Sequence, residues 1–142
     1  MDLESKGAAL TVDWSLSEAL TLTSVTGYED FSRLHAEDRD GTSLEQLDGI
    51  FDNDIEQFSQ ELRLTYVGPE LVLIGGAFYG RDEVQTRDRF DAPDLLSLLG
   101  LAGVRSIGNE YRQKTQSGAL FLHSEWSFAP SWKLTAGARY TD

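Results

Sequence analysis

The chain has 142 residues, of which 40% are apolar and 11% aromatic, and it carries a formal net charge of −12. This apolar and aromatic content is too high for a disordered chain, and the acidic balance argues against nucleic acid, whose phosphates are bound by clustered Lys and Arg. The chain has no cysteine, which excludes disulfides and thiolate metal sites, and no stretch approaches the ~18 consecutive apolar residues of a transmembrane helix.

The dominant pattern along the chain is an alternation of apolar and polar residues with period two, which is typical of a strand with one apolar face. In residues 58–66 every second residue is apolar except Gln60, and all the residues between them are polar. Phe121 interrupts a polar face in the same way, and a change of phase near Ser24 predicts a β-bulge. The predicted strands cover about residues 8–16, 20–32, 55–66, 71–86, 111–128 and 132–142.

Short and long connections alternate between these strands. Tight turns are predicted at residues 16–19, 67–70 and 129–131, and long loops at about 33–54 and 88–110. Transmembrane β-barrels combine short turns on one side of the membrane with long loops on the other. The sequence therefore predicts an all-β, antiparallel meander of about six strands, an open segment of a transmembrane β-barrel.

The second long loop carries the signals of a short helix. Pro93 stands at a favourable first helical position, Asp91 or Ala92 precedes it, and Gly100 or Gly103 could end the helix. Such a helix either packs against neighbouring loops or folds over the barrel mouth as part of a ligand gate.

The alternation also sorts candidate site residues into two groups. Polar residues on the face opposite the apolar one are predicted to face a wetted lumen: Gln57, Ser59, Glu61, Arg63, Lys133 and Arg139. Aromatic residues close to the short turns are candidates for the membrane interface, where an apolar ring with a polar tip is favoured: Trp14, Tyr66, Trp126 and Trp132. A soluble sandwich or a lipocalin-like barrel with aromatic core packing remains the alternative.

Several segments resemble the barrel wall of TonB-dependent receptors, in the order and spacing of that family. These segments are residues 20–28, 58–65, 75–79, 119–121 and 134–141. The resemblance implies a ~22-stranded barrel closed by a separate plug domain. In that family, the plug and outer loops bind a scarce nutrient, commonly a ferric siderophore, and energy arrives through TonB at a box near the start of the plug. Residues 1–142 are thus expected to be a partial barrel domain that lacks the plug and that box.

No catalytic, cofactor or metal site is predicted from the sequence. His35 is expected to be solvated and His123 to be a polar residue of the lumen wall. The acidic segment from Glu29 to Glu56 suggests a solvated outer loop, with weak cation binding as the alternative. A calcium-binding EF-hand is rejected, because alignment on Gly41 places Ala36 and Leu47 at ligand positions.

Together these observations predict part of an outer-membrane receptor for energy-coupled uptake, not an enzyme. Its expected partners are outer-membrane lipid, the remainder of the barrel with its plug, TonB through that plug, and a small ligand such as a siderophore. Nucleic acid is not among them.

The isolated 142-residue chain is expected to aggregate in plain buffer and to require detergent. Six strands cannot close a barrel, so two sheet edges and an apolar face would meet water. Size-exclusion chromatography with and without detergent measures this, and a monodisperse, cooperatively unfolding monomer in buffer alone would contradict it.

Overall fold

The computed structural model describes residues 1–38, 48–101 and 103–142, and of Asp94 and Leu95 it describes the backbone only. One six-stranded sheet has the strand order β1-β2-β3-β4-β5-β6, so each strand pairs with its neighbours in sequence. The prediction of an open, antiparallel, all-β meander is confirmed. The elements are β1 (Asp2–Ser15), β2 (Leu20–Asp38), β3 (Asp48–Val67), β4 (Leu71–Asp91), α1 (Pro93–Leu98), β5 (Ser106–Ala129) and β6 (Trp132–Thr141).

The strands extend well into the predicted long loops. β2 continues to Asp38 and β3 begins at Asp48, so both flanks of the predicted loop 33–54 are strand, and residues 39–47 lie outside the described residues. The predicted loop 88–110 shrinks likewise, because β4 reaches Asp91 and β5 begins at Ser106. Charged residues are frequent in these extensions, which hides the alternation on which the predicted boundaries were based. Helix α1 begins at Pro93, as predicted.

The chain divides into two compact units, each built from segments of several strands. Unit 1 comprises Met1–Lys6, Glu29–Glu56 and Glu83–Lys114. Unit 2 comprises Gly7–Tyr28, Gln57–Asp82 and Thr115–Asp142. The three short connections between strands all belong to unit 2, and helix α1 belongs to unit 1.

Apolar burial is sparse in the described part of the chain. The buried apolar residues there are Ala92, Leu96 and Ala119, and no side chain of the described residues is fully buried. Every residue of β1 and of β6 is exposed. A sheet with this little interior depends on strand pairing and on the medium that covers its apolar face.

The short connections tie neighbouring strands together by backbone hydrogen bonds. Leu16 N donates to Leu20 O at 2.9 Å in the first turn, and Gly68 N donates to Leu71 O at 2.8 Å in the second. The β5–β6 hairpin is in register from Ala119 opposite Thr141 onward, with one irregularity between Ser127 and Ala129 next to the turn. Short connections of this kind fix the register of the strands they join.

Gly76 on β4 is closely packed between two neighbouring strands. A Cβ at this position would lie 2.6 Å from the carbonyl oxygen of Leu62 and 2.9 Å from Cε1 of Phe121. The Phe121 ring therefore covers the glycine, and backbone on the opposite side cannot give way. Only glycine fits here without displacing a strand.

Gly76→Ala in the full-length protein is expected to lower the free energy of unfolding by about 1–3 kcal/mol, the usual cost of overpacking. Gly137→Ala is the matched control, since its Cβ would meet its neighbours at an ordinary 3.5 Å. Urea unfolding in lipid vesicles measures both changes, and equal effects would contradict the packing described for Gly76.

Candidate functional surfaces of the sheet

Unit 2 has a polar face that can be followed across all six strands by its contacts. On β5 and β6, Glu125 pairs with Lys133 and lies 3.3 Å from Nε2 of His123. Further pairs of residues on this face are in contact between strands. These pairs are Arg139 over Phe78, Gln57 with Asp82, Gly27 beside Ser59, and Thr23 with Asp13.

All the candidate lumen residues lie on this polar face. Lys133 and Arg139 are in register with Ser127 and Phe121 of β5. Gln57 contacts Asp82 at 3.1 Å, and Ser59, Glu61 and Arg63 follow at intervals of two, which keeps them on the same side of the strand. Arg63 and Glu61 form an ion pair at 3.6 Å with both side chains part-exposed, so the pair contributes little to stability. The alternation in the sequence thus correctly predicted that these side chains share one face of the sheet.

The opposite face of unit 2 is apolar and exposed. Leu120, Leu122 and Trp126 of β5 stand in register with Tyr140, Ala138 and Leu134 of β6. The predicted interface aromatics are all exposed apolar or aromatic side chains at the end of unit 2 that carries the short connections: Trp14, Tyr66, Trp126 and Trp132. The rings of Trp126, Phe128 and Trp132 follow one another at centroid distances of 5.4 and 6.4 Å.

A second row of aromatic side chains was missed by the sequence analysis. It borders the other end of the apolar face and comprises Tyr28, Phe58, Tyr79 and Tyr140, all of them exposed. On β3 the two rows are joined by the segment Phe58 to Tyr66, whose ends share one face by alternation. The number of residues between each short turn and the next aromatic residue on the apolar face could have revealed this row from the sequence.

A hydrogen-bonded polar group interrupts the apolar face. Gln60 of β3 accepts a hydrogen bond from the Thr26 hydroxyl at 2.6 Å and donates one to Ser24 Oγ at 2.9 Å. Ser24 and Thr26 therefore lie on the same face, with ordinary alternation around Val25. The predicted change of phase near Ser24 is wrong, because these two hydroxyls satisfy a partner on the neighbouring strand.

Unit 1 carries an ion network on one face. Glu83 of β4 binds Arg112 at 2.7 Å and Lys114 at 2.9 Å, and its side chain is only 15% exposed. Arg87 reaches Asp52 at 3.3 Å and Glu110 at 3.6 Å. These pairs join β3, β4 and β5 and place opposite charges next to one another on this face.

The other face of unit 1 holds an aromatic cluster of His35, Phe51 and Phe90. The His35 and Phe51 rings are stacked at 6.3 Å, and Phe51 meets Phe90 edge-on at 5.6 Å. The predicted loop position of His35 is wrong: the residue lies in β2 with a part-exposed side chain, whose Nδ1 is buried and has no hydrogen-bond partner among the described residues. The cause is the extension of β2, which places His35 beside β3 rather than in a loop.

At the start of β1, Lys6 lies 2.5 Å from Glu4, and both side chains are exposed. Their hydrogen bond, and then the charge of Lys6, hold the pKa of the Glu4 carboxyl below its usual value. The same contact raises the pKa of Lys6, helped by the charge of Asp30. Solvent screens this pair, so it serves as a local contact between side chains of one strand.

The described residues contain no group of three or more His, Asp or Glu side chains placed to hold a metal ion. Part of the predicted acidic loop, residues 39–47, lies outside the described ranges. Among the helices that the structure describes, none is long and apolar enough to cross a membrane.

The model of the family described as TonB dependent receptor-like, beta-barrel matches residues 1–142. The chain belongs to this family of TonB-dependent receptor barrels. The family consists of transport receptors. No curated protein matches the sequence at a significant level.

Among solved structures, the RagAB peptide transporter matches 99% of this chain with a TM-score of 0.56 and 14% sequence identity. The match covers 18% of the transporter chain, so the present chain corresponds to a small part of that protein. Ail, the attachment invasion locus protein of Yersinia pestis, matches 96% of this chain and 80% of its own with a TM-score of 0.25 and 11% identity, which supports no inference. At these identities the RagAB likeness shows the fold alone.

Leu122→Arg in the full-length receptor is expected to cost about 2–4 kcal/mol of folding free energy, as a charge on the lipid face of a barrel does. His123→Arg is the control on the adjacent, polar face, where Glu125 lies within reach, and we expect less than about 1 kcal/mol. Urea unfolding in lipid vesicles tests both, and equal costs would contradict the difference in polarity described for the two faces.

Proposed function

We propose that this chain forms part of the wall of an outer-membrane receptor that takes up a scarce nutrient with energy delivered through TonB. The observation that carries the proposal is the family match over the whole chain, on an open meander whose two faces differ in polarity. Unit 2 is assigned to the membrane: its apolar face contacts lipid, and its polar face lines the lumen and meets the plug.

The two aromatic rows support this membrane assignment. Phe58 to Tyr66 covers nine residues, at the lower end of the ~9–11 residues with which a tilted strand crosses a bilayer. Aromatic girdles border the apolar band of such barrels at both interfaces. Trp14, Tyr66, Trp126 and Trp132 form the row on the side of the short turns, which we assign to the periplasmic interface.

We assign ligand contact to the aromatic cluster of unit 1. His35, Phe51 and Phe90 stand on the face opposite the ion network, and their rings offer an apolar surface beside the Thr86–Asn53 hydrogen bond of 3.2 Å. Aromatic surfaces with few polar groups are typical of small-ligand sites. A ferric siderophore is the proposed ligand class; a soluble lipocalin-like or sandwich module is not favoured, because the family match points to a receptor barrel.

Deletion of the full-length gene is expected to abolish growth on a ferric siderophore under iron limitation, and complementation to restore it only in cells with a functional TonB. A peptide source serves as the contrasting ligand, because the RagAB structure is that of a peptide transporter. If deletion abolishes only growth on peptide, the ligand is a peptide rather than a siderophore, and the proposal of a TonB-dependent receptor stands. Uptake that is independent of both the gene and TonB would overturn the proposal.

A matched pair of variants locates the ligand contact. Phe51→Ala is expected to lower the apparent affinity for the ligand about tenfold, as loss of a well-packed aromatic contact does. Ile50→Ala is the control, because Ile50 is the neighbouring residue and points to the other face of β3. Transport assays at a range of ligand concentrations separate the two, and equal effects would remove the cluster from the site.

A further inference from the structure

We propose that Gln60, a polar residue on the apolar face of unit 2, and Phe121, an apolar residue on its polar face, fix the register of the two strand pairs that are joined by long connections. β2 and β3 are joined through residues 39–47, and β4 and β5 through residues 92–105. The other three pairs are joined by short turns. Gln60 of β3 contacts β2, and Phe121 of β5 contacts β4, so each lies at one of the two pairs with long connections.

Alternation alone leaves the register of such a pair undetermined. A slip by one residue moves every apolar side chain of the strand to the wrong face. This slip is excluded because it would place apolar side chains in water and polar side chains in lipid. A slip by two residues returns each side chain to its own face and keeps the backbone hydrogen-bond pattern. A short turn forbids that slip, whereas a long connection absorbs it at little cost.

The Gln60 lock consists of Gln60 with Ser24 and Thr26. In the observed register, the side-chain amide bonds both hydroxyls at 2.6 and 2.9 Å and also donates to Glu61 O at 3.1 Å. A two-residue slip takes Gln60 away from one of its two hydroxyls: toward Leu22 it loses Thr26 and meets an apolar side chain, and toward Tyr28 it loses Ser24 and meets an aromatic ring in place of a short hydroxyl side chain. An amide deprived of a partner on an apolar face is costly, so the observed register is selected.

The same principle operates in coiled coils, where one buried polar residue in an apolar seam specifies register at some expense of stability. Residues next to Gln60 on its face are apolar, Phe58 on one side and Leu62 on the other, so no other polar pair on this part of β3 competes. This lock rests on the proposed membrane placement of unit 2, because water would satisfy the displaced amide.

The Phe121 lock consists of Phe121 with Gly76. The ring occupies the space that any side chain at position 76 would need, with its Cε1 2.9 Å from the place of a Cβ. Ile74 and Phe78 flank Gly76 on the same face of β4. A two-residue slip would drive the ring into one of these side chains, so the lock is steric and is independent of the surrounding medium.

Engineered cysteine pairs in the full-length receptor report each register, since this chain contains no cysteine of its own. For β2–β3 the native reporter is Gly27→Cys with Ser59→Cys, and the slipped reporters combine Ser59→Cys with Val25→Cys or Glu29→Cys. For β4–β5 the native reporter is Gly80→Cys with Ser117→Cys. Its slipped counterparts combine Gly80→Cys with Thr115→Cys or Ala119→Cys. Any other cysteine of the receptor is replaced by serine.

Without further change, only the native reporters are expected to form disulfides in the outer membrane. Gln60→Leu is expected to raise the slipped β2–β3 cross-link at least about tenfold and to leave β4–β5 unchanged. Phe121→Leu should do the reverse, and Phe121→Tyr, which keeps the ring, should retain the native register. Gln57→Leu and Phe128→Leu are matched controls on the same strands and should leave both registers native.

Native cross-links alone in Gln60→Leu and in Phe121→Leu would overturn the proposal. If Gln60→Leu receptors fail to reach the membrane, Thr26→Val removes a single hydrogen bond and is expected to give a smaller rise in the slipped cross-link; no rise would equally count against the lock. Native β2–β3 cross-links alone in Gln60→Leu, with slipped β4–β5 cross-links in Phe121→Leu, would overturn the proposal for Gln60 and support it for Phe121. Nutrient uptake assays test the transport proposal separately.

Discussion

Hydrogen bonds between the backbones of neighbouring antiparallel strands hold this sheet together, because it has almost no apolar interior to do so. The buried apolar side chains among the described residues are Ala92, Leu96 and Ala119. Successive side chains along each strand point to opposite faces of the sheet, and the chemistry of each face follows from the residues placed there. Most large apolar residues therefore lie on an exposed face of the sheet, and the stability of the fold depends on the medium that covers this face.

The two units use the same backbone pattern for different chemistry. In unit 2 an apolar face lies opposite a face of paired charges and amides. In unit 1 an ion network around Glu83 and Arg87 lies opposite an aromatic cluster around Phe51. A change of residue type at constant alternation is enough to produce an exposed apolar face in one unit and a face of ion pairs in the other.

The strands, their order and the faces of unit 2 could be predicted from sequence, because one apolar face produces a clear period of two. The strand extensions could not, because near Asp52 or Arg87 both kinds of position carry charges or polar groups and the pattern fades. His35 was misplaced for the same reason. Ser24 and Thr26 suggested a shift of phase because their partner, Gln60, is distant in sequence, and a pattern within one strand contains no information on its neighbour.

The aromatic candidates illustrate a further limit. Trp14, Tyr66, Trp126 and Trp132 stood out because they flank turns, which sequence marks clearly. Tyr28, Phe58, Tyr79 and Tyr140 border the opposite end, where long connections follow and no turn signal marks the boundary. Only the pairing of strands brings these four side chains into one row.

The distribution of tryptophan has a spectroscopic consequence. All three tryptophans of the chain, Trp14, Trp126 and Trp132, lie beside short connections at one end of unit 2. Tryptophan emission from this chain therefore reports on that end of unit 2, whereas Tyr28, Tyr79 and Tyr140 lie at its other end. With Tyr66 and Tyr111 replaced by phenylalanine, energy transfer from these three tyrosines to the tryptophans depends on the separation of the two rows and requires no attached dye.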